Sequence, residues 1–443
     1  MYFVVPDRMK NTVLLFASLF FYGWGEPKYL VFMLAAVTQS YIAALLVERF
    51  RGTKIAKLAL AVSAVASLGL LAYCKYADFF IGNFNAVTGL SIPLLKVALP
   101  VGISFYTFQI LSYVIDVYRG DVPAQRNFID LAMYVAMFPQ LIAGPIVRYS
   151  DIAGSLKNRK TTLADASEGI TRFSVGLAKK ILLANSAALI VSEFKAYGEK
   201  TVLFYWLYAA AYMLHIYFDF SGYSDMAIGL GQMLGFNFNK NFDYPYISTS
   251  VSEFWRRWHI SLGSWFRDYI YIPLGGNRVS TGRHIRNILV VWALTGLWHG
   301  ASWNFVFWGV YYGLLLLAEK FLLGRFLEKA PVWLRNLYTM FAVIIGWVFF
   351  SQTTPAAIGK MLGAMFGLGA SCFADRASLY ALKSGLILMI ISVISCRPGL
   401  YQYFKRLARR NTYLAAVINA ILFFLCIAYM IYSSYTPFMY QQF

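Results

Sequence analysis

The sequence has little charge, and most of its charge has one sign. Only 13% of the 443 residues are charged, whereas 59% are hydrophobic. Soluble globular proteins carry about 25% charged residues, so an ordinary soluble domain is excluded. The 20 acidic residues face 39 basic ones, a net charge of +19. In a membrane protein this excess first indicates cytoplasmic loops beside anionic lipids, and not nucleic-acid binding. A site for a polyanionic substrate is the alternative.

Cysteines and familiar catalytic motifs are also scarce. The four cysteines are scattered and lack the spacing of a metal site or a disulfide framework. The chain contains no Gly-x-Ser-x-Gly elbow, Walker loop, dinucleotide fingerprint or His-Glu-x-x-His motif. Covalent serine, nucleotide-hydrolysing and zinc mechanisms therefore lack support, and we expect no metal site and no tightly bound cofactor. Acid–base chemistry on one of the four histidines is what the composition leaves.

Long apolar runs are abundant. A spanning helix needs about 20 residues, which predicts an all-α, polytopic membrane protein with ten to twelve transmembrane helices. The predicted segments are 13–24, 29–47, 55–74, 99–117, 129–147, 173–191, 202–220, 285–299, 306–321, 333–350, 382–395 and 412–432. No internal repeat and no long linker is visible, so one membrane domain over residues 1–443 is the simplest interpretation.

Two regions depart from simple spanning helices. Basic residues lie on both sides of segment 129–147, and Pro139, Gly144 and Pro145 interrupt it, which favours a re-entrant segment or a kinked span. Residues 237–286 contain six arginines among aromatic residues. This region is too charged to span and too apolar for a loose loop. We therefore predict short re-entrant or amphipathic helices at the cytoplasmic interface.

His299 is the most informative residue, because it lies in an apolar run between Gly296 and Gly300. A titratable group at membrane depth is costly and indicates a functional site by default. The two interpretations are a catalytic base that small neighbours make accessible, and a buried histidine that bonds a neighbouring helix. Asn304 follows five residues later and is predicted to support the site.

His259 lies in an aromatic and basic run with Trp258, Arg256 and Arg257, and Arg267 follows. On a solvated interfacial face this histidine would have no special role. If the segment folds over a cavity, the arginines could instead bind phosphate groups of a donor through bidentate hydrogen bonds. Asp219 and Asp225 are six residues apart in another apolar stretch. They are predicted to serve polar packing, to orient a histidine or arginine, or to gate a proton path.

Several ordered runs together resemble the membrane-bound O-acyltransferase (MBOAT) family. They are residues 19–27, 139–145, 217–225, 253–278 and 296–304. The run 265–278 is most similar to the alginate O-acetyltransferase branch and less similar to the D-alanyl-transferring branch. Relatives that acetylate peptidoglycan share this run, so the polymer stays open. Relatives usually begin with one more apolar segment, which leads us to expect that a first helix is missing.

The resemblance implies a ring of transmembrane helices around a central tunnel, in the bacterial cytoplasmic (inner) membrane. It implies that His299 is the catalytic base, and that His259 has a supporting role near the donor entrance. It implies acetyl-CoA as co-substrate, with Arg256, Arg257 and Arg267 as candidates for binding its phosphates. Trp258 is a further donor-binding candidate. An extracytoplasmic glycan, or a separate extracytoplasmic acyltransferase, would receive the acetyl group. The alternatives are D-alanyl transfer to teichoic acid and a transporter or flippase for glycans or lipids.

Overall fold

Helices account for all regular secondary structure in the part of the chain that the computed structural model describes, residues 2–25 and 27–432. The all-α prediction is confirmed. These residues divide into two compact units, Met1–Ile170 with Ala227–Asn239, and Thr171–Met226 with Lys240–Phe443. The single domain over residues 1–443 stays a prediction. Glu26, in the run 19–27, and residues 433–443 lie outside the described residues.

The first unit is built mainly from helices α1 to α7. Their bounds are α1 Asp7–Gly25, α2 Leu30–Arg49, α3 Lys54–Thr88, α4 Ile103–Arg119, α5 Phe128–Ala136, α6 Phe138–Leu141 and α7 Tyr149–Lys157. Its core contains fully buried aromatic side chains, among them Tyr106, Tyr113 and Tyr134. Several buried polar groups of this unit are paired, as is favourable in an apolar interior. The Asn11 amide, for example, donates to an Asp130 carboxylate oxygen over 2.7 Å.

Segment 129–147 is interrupted, as the sequence predicts. Helix α5 ends at Ala136, α6 has only four residues, and the next helix begins at Tyr149. Neither short helix reaches the roughly 20 residues of a span. Side chains satisfy backbone carbonyls that the break releases: Gln140 Nε2 donates to Tyr134 O over 2.7 Å, and Tyr134 Oη donates to Val147 O over 2.9 Å. Such backbone is tolerated only where it is packed in protein.

The other helices run from α8 to α20, and α8 and α10 contribute residues to both units. Their bounds are α8 Leu163–Ala178, α9 Asn185–Ala196, α10 Val202–Met233, α11 Val251–Arg257, α12 Ile260–Phe266, α13 Thr281–His299, α14 Trp303–Ala318, α15 Gly324–Lys329, α16 Val332–Ser351, α17 Pro355–Met365, α18 Arg376–Ser395, α19 Pro398–Arg410 and α20 Thr412–Tyr432. Wider π turns join α8 to α9 and α14 to α15, at Lys179–Ala184 and Glu319–Leu323.

Seven helical stretches of the described residues are long and apolar enough to cross a membrane. They are Pro27–Arg49, Lys54–Thr88, Leu163–Ala196, Trp303–Lys329, Val332–Ser351, Arg376–Ser395 and Thr412–Tyr432. This confirms a multi-pass membrane protein. Seven of the twelve predicted segments fall in these stretches. Four other predicted segments form α1, α4, α10 and α13, which are too short or too polar to be counted among the seven candidate spans. The remaining segment, 129–147, is broken into shorter pieces.

Candidate functional site

His299 is positioned by the close contact of α13 with α14. It is the last residue of α13, and α14 begins four residues later at Trp303. A Cβ atom at Gly296 would overlap the Phe305 carbonyl, and one at Gly309 would overlap the Trp292 carbonyl. Only glycine at these two positions lets the backbones approach so closely, as small residues do in membrane helix pairs. The pairing fixes the end of α13, and with it the imidazole.

Aromatic rings surround the buried His299 side chain. The centroid of its ring lies 5.0 Å from those of Trp298 and Trp308 and 5.3 Å from that of Phe350, with near-perpendicular planes. Asn304 is also buried, and its Nδ2 donates to the Phe350 carbonyl over 3.4 Å. Phe350 therefore meets both predicted site residues, the imidazole through its ring and the amide through its carbonyl.

His259 is held in an unusual backbone conformation between two short helices. It precedes α12 with φ at 46°, in the left-handed region that non-glycine residues rarely adopt. The side chain of Asn241 holds the turn: its Oδ1 accepts from Ser261 N over 3.2 Å and lies 3.2 Å from His259 Nδ1. Its Nδ2 donates to Ser224 Oγ over 3.0 Å. Hydrogen bonds from outside the turn thus hold the strained residue.

The hydrogen bonds of Asn241 also determine the tautomer of His259. A backbone N–H can only donate, so the bond from Ser261 N identifies the Asn241 atom as a carbonyl oxygen. His259 Nδ1 must then be the donor to this oxygen, and Nε2 carries the lone pair. Burial lowers the pKa of His259 to about 3, which keeps the imidazole neutral at physiological pH.

The two histidines meet at Trp298. The Trp298 ring centroid is 5.8 Å from that of His259 and 5.0 Å from that of His299. Phe220, on α10, also contacts His259, with their ring centroids 4.7 Å apart. Two imidazoles that are 40 residues apart in the chain therefore share one indole. The sequence identified both histidines, but only the structure brings them together.

The predicted donor arginines differ in their surroundings. Arg257 contacts Glu253 over 2.9 Å and Asp243 over 3.5 Å, and Arg267 contacts Asp268 over 2.7 Å. Arg256 is exposed, and within the described residues it makes no ion pair or side-chain hydrogen bond. Two of the three guanidinium groups thus have carboxylate partners in the structure.

Trp258 is buried in a stack of aromatic rings. Its ring centroid lies 5.6 Å from that of Phe254, 6.2 Å from that of Tyr246 and 4.8 Å from that of Trp347. These contacts tie α11 to α16 and to the turn at Pro245–Ile247. The ring is thus part of the buried packing next to His259, and donor binding by Trp258 stays a prediction.

Asp219 and Asp225 form ion pairs with cations of α8 and of the π turn that follows it. Asp219 pairs with Lys180, and both side chains are buried. Asp225 pairs with Lys179 over 2.6 Å and with Arg172 over 3.1 Å. These pairs neutralise carboxylates that would be very costly in an apolar interior without a partner. These contacts describe polar packing and, for Asp225, the pairing with an arginine, whereas a proton path stays a prediction.

Four buried polar residues were not predicted from the sequence. His215 is buried four residues before Asp219, and neither ring nitrogen has a hydrogen-bond partner in the described chain. The spacing of four along one helix was a usable signal. His284 lies 2.9 Å from Tyr271 Oη, through Nε2. Asn241 and Glu319 act through backbone groups, which leave no mark in a sequence pattern. Glu319 accepts from the N–H groups of Val251 and Ser252 and so caps α11.

A metal site is not suggested by the side chains in the described ranges, which contain no group of three or more His, Cys, Asp or Glu residues placed to hold an ion. The predicted site residues include imidazoles, the Asn304 amide and guanidinium groups. An imidazole can move a proton, and a guanidinium group can bind an anion.

Known proteins similar to this chain are acyltransferases. The profile of the membrane-bound O-acyltransferase family, MBOAT, matches residues 122–358, a range that includes both site histidines. The chain is 42% identical to the probable alginate O-acetylase AlgI of Azotobacter vinelandii over 416 residues, covering 92% of this chain and 83% of the relative. It is 34% identical to the peptidoglycan O-acetyltransferase of Helicobacter pylori, covering 83% of this chain and 76% of the relative.

A more distant relative is the teichoic acid D-alanyltransferase of Bacillus subtilis, which is 27% identical over 232 residues. That alignment covers 50% of this chain and 59% of the relative. The matches to the O-acetylating proteins are both stronger and longer. With the multi-pass helical architecture and the paired histidines, they identify an acyltransferase. This chain belongs to the membrane-bound O-acyltransferase family.

Proposed function

We propose that this protein transfers an acetyl group from cytoplasmic acetyl-CoA for O-acetylation of an exported polysaccharide. The observation that carries the proposal is the packing of His259 and His299 against one indole, Trp298, in a family whose members transfer acyl groups. The relatives named as acting on alginate and on peptidoglycan support a glycan acceptor. The acceptor is accordingly a sugar hydroxyl of a cell-surface polymer.

In the proposed reaction His299 is the general base. Its imidazole accepts the proton of the acceptor hydroxyl while the hydroxyl oxygen forms a bond to the thioester carbonyl carbon. The carbon–sulfur bond then breaks, and the imidazolium returns the proton to the sulfur of the leaving CoA. These steps describe direct transfer; in transfer through an acyl-enzyme, CoA would leave before the acceptor hydroxyl attacks. His259 is neutral and supports the donor end of the site.

The phosphates of the donor are best matched by Arg256. It is exposed, whereas carboxylates already contact Arg257 and Arg267. A guanidinium group binds phosphate through two parallel hydrogen bonds, and an arginine with no competing carboxylate is more available for this. Arg257 has a structural role in this proposal, because its contact with Asp243 joins α11 to the preceding segment, whereas Arg267 is paired with its sequence neighbour Asp268.

The bacterial cytoplasmic membrane is the proposed location, because the named relatives are bacterial and the donor is cytoplasmic. The acetyl group reaches the polymer directly or through a separate extracytoplasmic acyltransferase. D-alanyl transfer is the second candidate, and the shorter and weaker similarity to the D-alanyl-transferring relative disfavours it. Membership of an acyltransferase family disfavours a transporter or flippase.

The test uses purified full-length protein in proteoliposomes with labelled acetyl-CoA and with alginate or peptidoglycan fragments as acceptors. Replacing the base, His299→Ala, is expected to reduce transfer by about 10²- to 10⁴-fold. His284→Ala is the matched control, because it removes a histidine from the other end of α13 and should change the rate by less than about tenfold. A folded His299→Ala variant with full transfer would contradict the mechanism. Consumption of a labelled D-alanyl donor, with acetyl-CoA untouched, would contradict the donor.

A further inference from the structure

Helix α19 (Pro398–Arg410) has a basic face and an apolar face. At helical spacing, Lys405, Arg406, Arg409 and Arg410 fall on one arc. Leu400, Phe404 and Leu407 fall on the opposite arc, at positions i, i+4 and i+7. A helix with this division of charge and apolar surface is typical of segments that lie in the plane of a membrane interface.

The apolar arc of α19 is open. Leu400 is 40% exposed and Phe404 is 42% exposed, so the described chain covers little more than half of either side chain. Tyr403, at the edge of this arc, is 58% exposed. Aromatic side chains with one polar end are favoured at the level of lipid headgroups. The arc thus presents apolar and aromatic surface suited to the boundary between headgroups and acyl chains.

The neighbours of α19 place it at a membrane surface. The preceding helix α18 and the following helix α20 are both long and apolar enough to span, and at most two residues separate α19 from either of them. With 13 residues α19 is about 20 Å long, and its charge prevents it from spanning. A basic helix that joins two spans lies on the cytoplasmic side by the distribution of Lys and Arg.

The chain from Arg376 onward carries basic residues but no acidic ones. Seven basic residues and no acidic residue follow Asp375. Within the described residues, Arg397, Lys405, Arg406 and Arg410 form no ion pair. Five cations in 14 residues, at a membrane surface, attract anions strongly. The ligand that matches a basic arc opposite an apolar arc carries a negative headgroup on a hydrocarbon chain.

We propose that α19 lies in the cytoplasmic membrane interface and binds anionic phospholipids. The apolar arc packs among the upper acyl chains, and the long Lys and Arg side chains extend to the lipid phosphates. An acidic soluble protein would match the basic arc only and would leave Leu400 and Phe404 in water. The lipid accounts for both arcs. This inference is independent of the acyl donor and of the acceptor.

The first experiment locates the two arcs relative to the membrane. An environment-sensitive dye is attached at Phe404→Cys or at Gln402→Cys in a Cys372→Ser background, because Cys372 is the exposed cysteine of the described chain. Full-length protein is placed in nanodiscs of phosphatidylcholine and phosphatidylglycerol. We expect blue-shifted emission and protection from acrylamide at position 404, and access at position 402. Equal access at both positions would overturn the proposal and would favour a soluble partner.

The second experiment measures lipid preference by energy transfer from the dye at position 404 to acceptor-labelled lipids. We expect more transfer to phosphatidylglycerol than to phosphatidylcholine, and a loss of that preference by about fivefold or more in Arg406→Gln/Arg410→Gln. The control Lys54→Gln/Lys57→Gln removes the same charge from the exposed first turn of α3 and should keep the preference. Arg406→Lys/Arg410→Lys should also keep it. No preference in the native chain, or an unchanged one in Arg406→Gln/Arg410→Gln, would refute lipid binding.

Discussion

His299 and His259 contact the same indole, but the chain holds them by opposite means. His299 ends a regular helix, and its position follows from glycine-mediated contact between α13 and α14 and from aromatic rings packed around it. His259 lies in a left-handed turn between two seven-residue helices, and hydrogen bonds from Asn241 hold it. One imidazole is therefore positioned by shape and the other by polar groups.

The two histidines should therefore be sensitive to different kinds of substitution. Close packing tolerates no added volume, because a backbone carbonyl that contacts a glycine cannot move without shifting its helix. A hydrogen-bonded turn tolerates small changes in volume but not the loss of a partner, because buried donors are then left unsatisfied. Substitutions that add a methyl group and substitutions that remove an acceptor should therefore affect different histidines.

The largest effect is expected from added volume in the α13–α14 pair. Gly296→Ala places a methyl group on the Phe305 carbonyl and is expected to lower the free energy of unfolding by about 1–3 kcal/mol and to impair acyl transfer. The measurements are unfolding in detergent and the acetyl-transfer rate. Gly282→Ala is the matched control, since nothing lies within 4 Å of a Cβ there and it is in the same helix. Equal behaviour of the two variants would show that packing does not position His299.

The next effect tests the polar half of the comparison. Asn241→Ala removes the acceptor of Ser261 N and the partner of His259 Nδ1, and it should cost at least about 1 kcal/mol of stability. Because His259 then loses its fixed tautomer, acyl transfer should fall toward that of His259→Ala. The double variant Asn241→Ala/His259→Ala should transfer acetyl groups no more slowly than the slower of the two single variants. Additive losses would mean that Asn241 acts by some route other than His259.

The smallest effect separates binding from structure within residues 237–286. Arg256→Gln should raise the KM for acetyl-CoA several-fold without changing stability, because Arg256 is exposed and has no carboxylate partner among the described residues. Arg257→Gln removes the contacts with Glu253 and Asp243 and should lower stability instead. Thermal unfolding and the dependence of rate on acetyl-CoA concentration distinguish the two. If Arg257→Gln raised the KM and Arg256→Gln lowered stability, Arg257 would be the donor-binding residue and Arg256 the structural one.

Sequence patterns predicted best those features whose free-energy cost depends on neighbouring residues in the chain. His299 was singled out because an imidazole in an apolar run is expensive in any fold, and the interruption at 129–147 followed from prolines that cannot donate hydrogen bonds. Helix ends were less accessible. Segment 202–220 continues as one helix to Met233, because the ion pairs of Asp219 and Asp225 neutralise charges that would otherwise disfavour apolar packing.

The all-helical, multi-pass class, the two candidate histidines and the basic character of the chain could be inferred from the amino-acid sequence alone. These properties follow from hydropathy, helix length and charge, which are sums over neighbouring residues. Only the tertiary structure decided that both histidines share Trp298, that Asn241 selects the tautomer of His259, and that Arg256 lacks the carboxylate partners of Arg257. Such contacts join residues far apart in the chain, and their geometry depends on packing that local patterns do not specify.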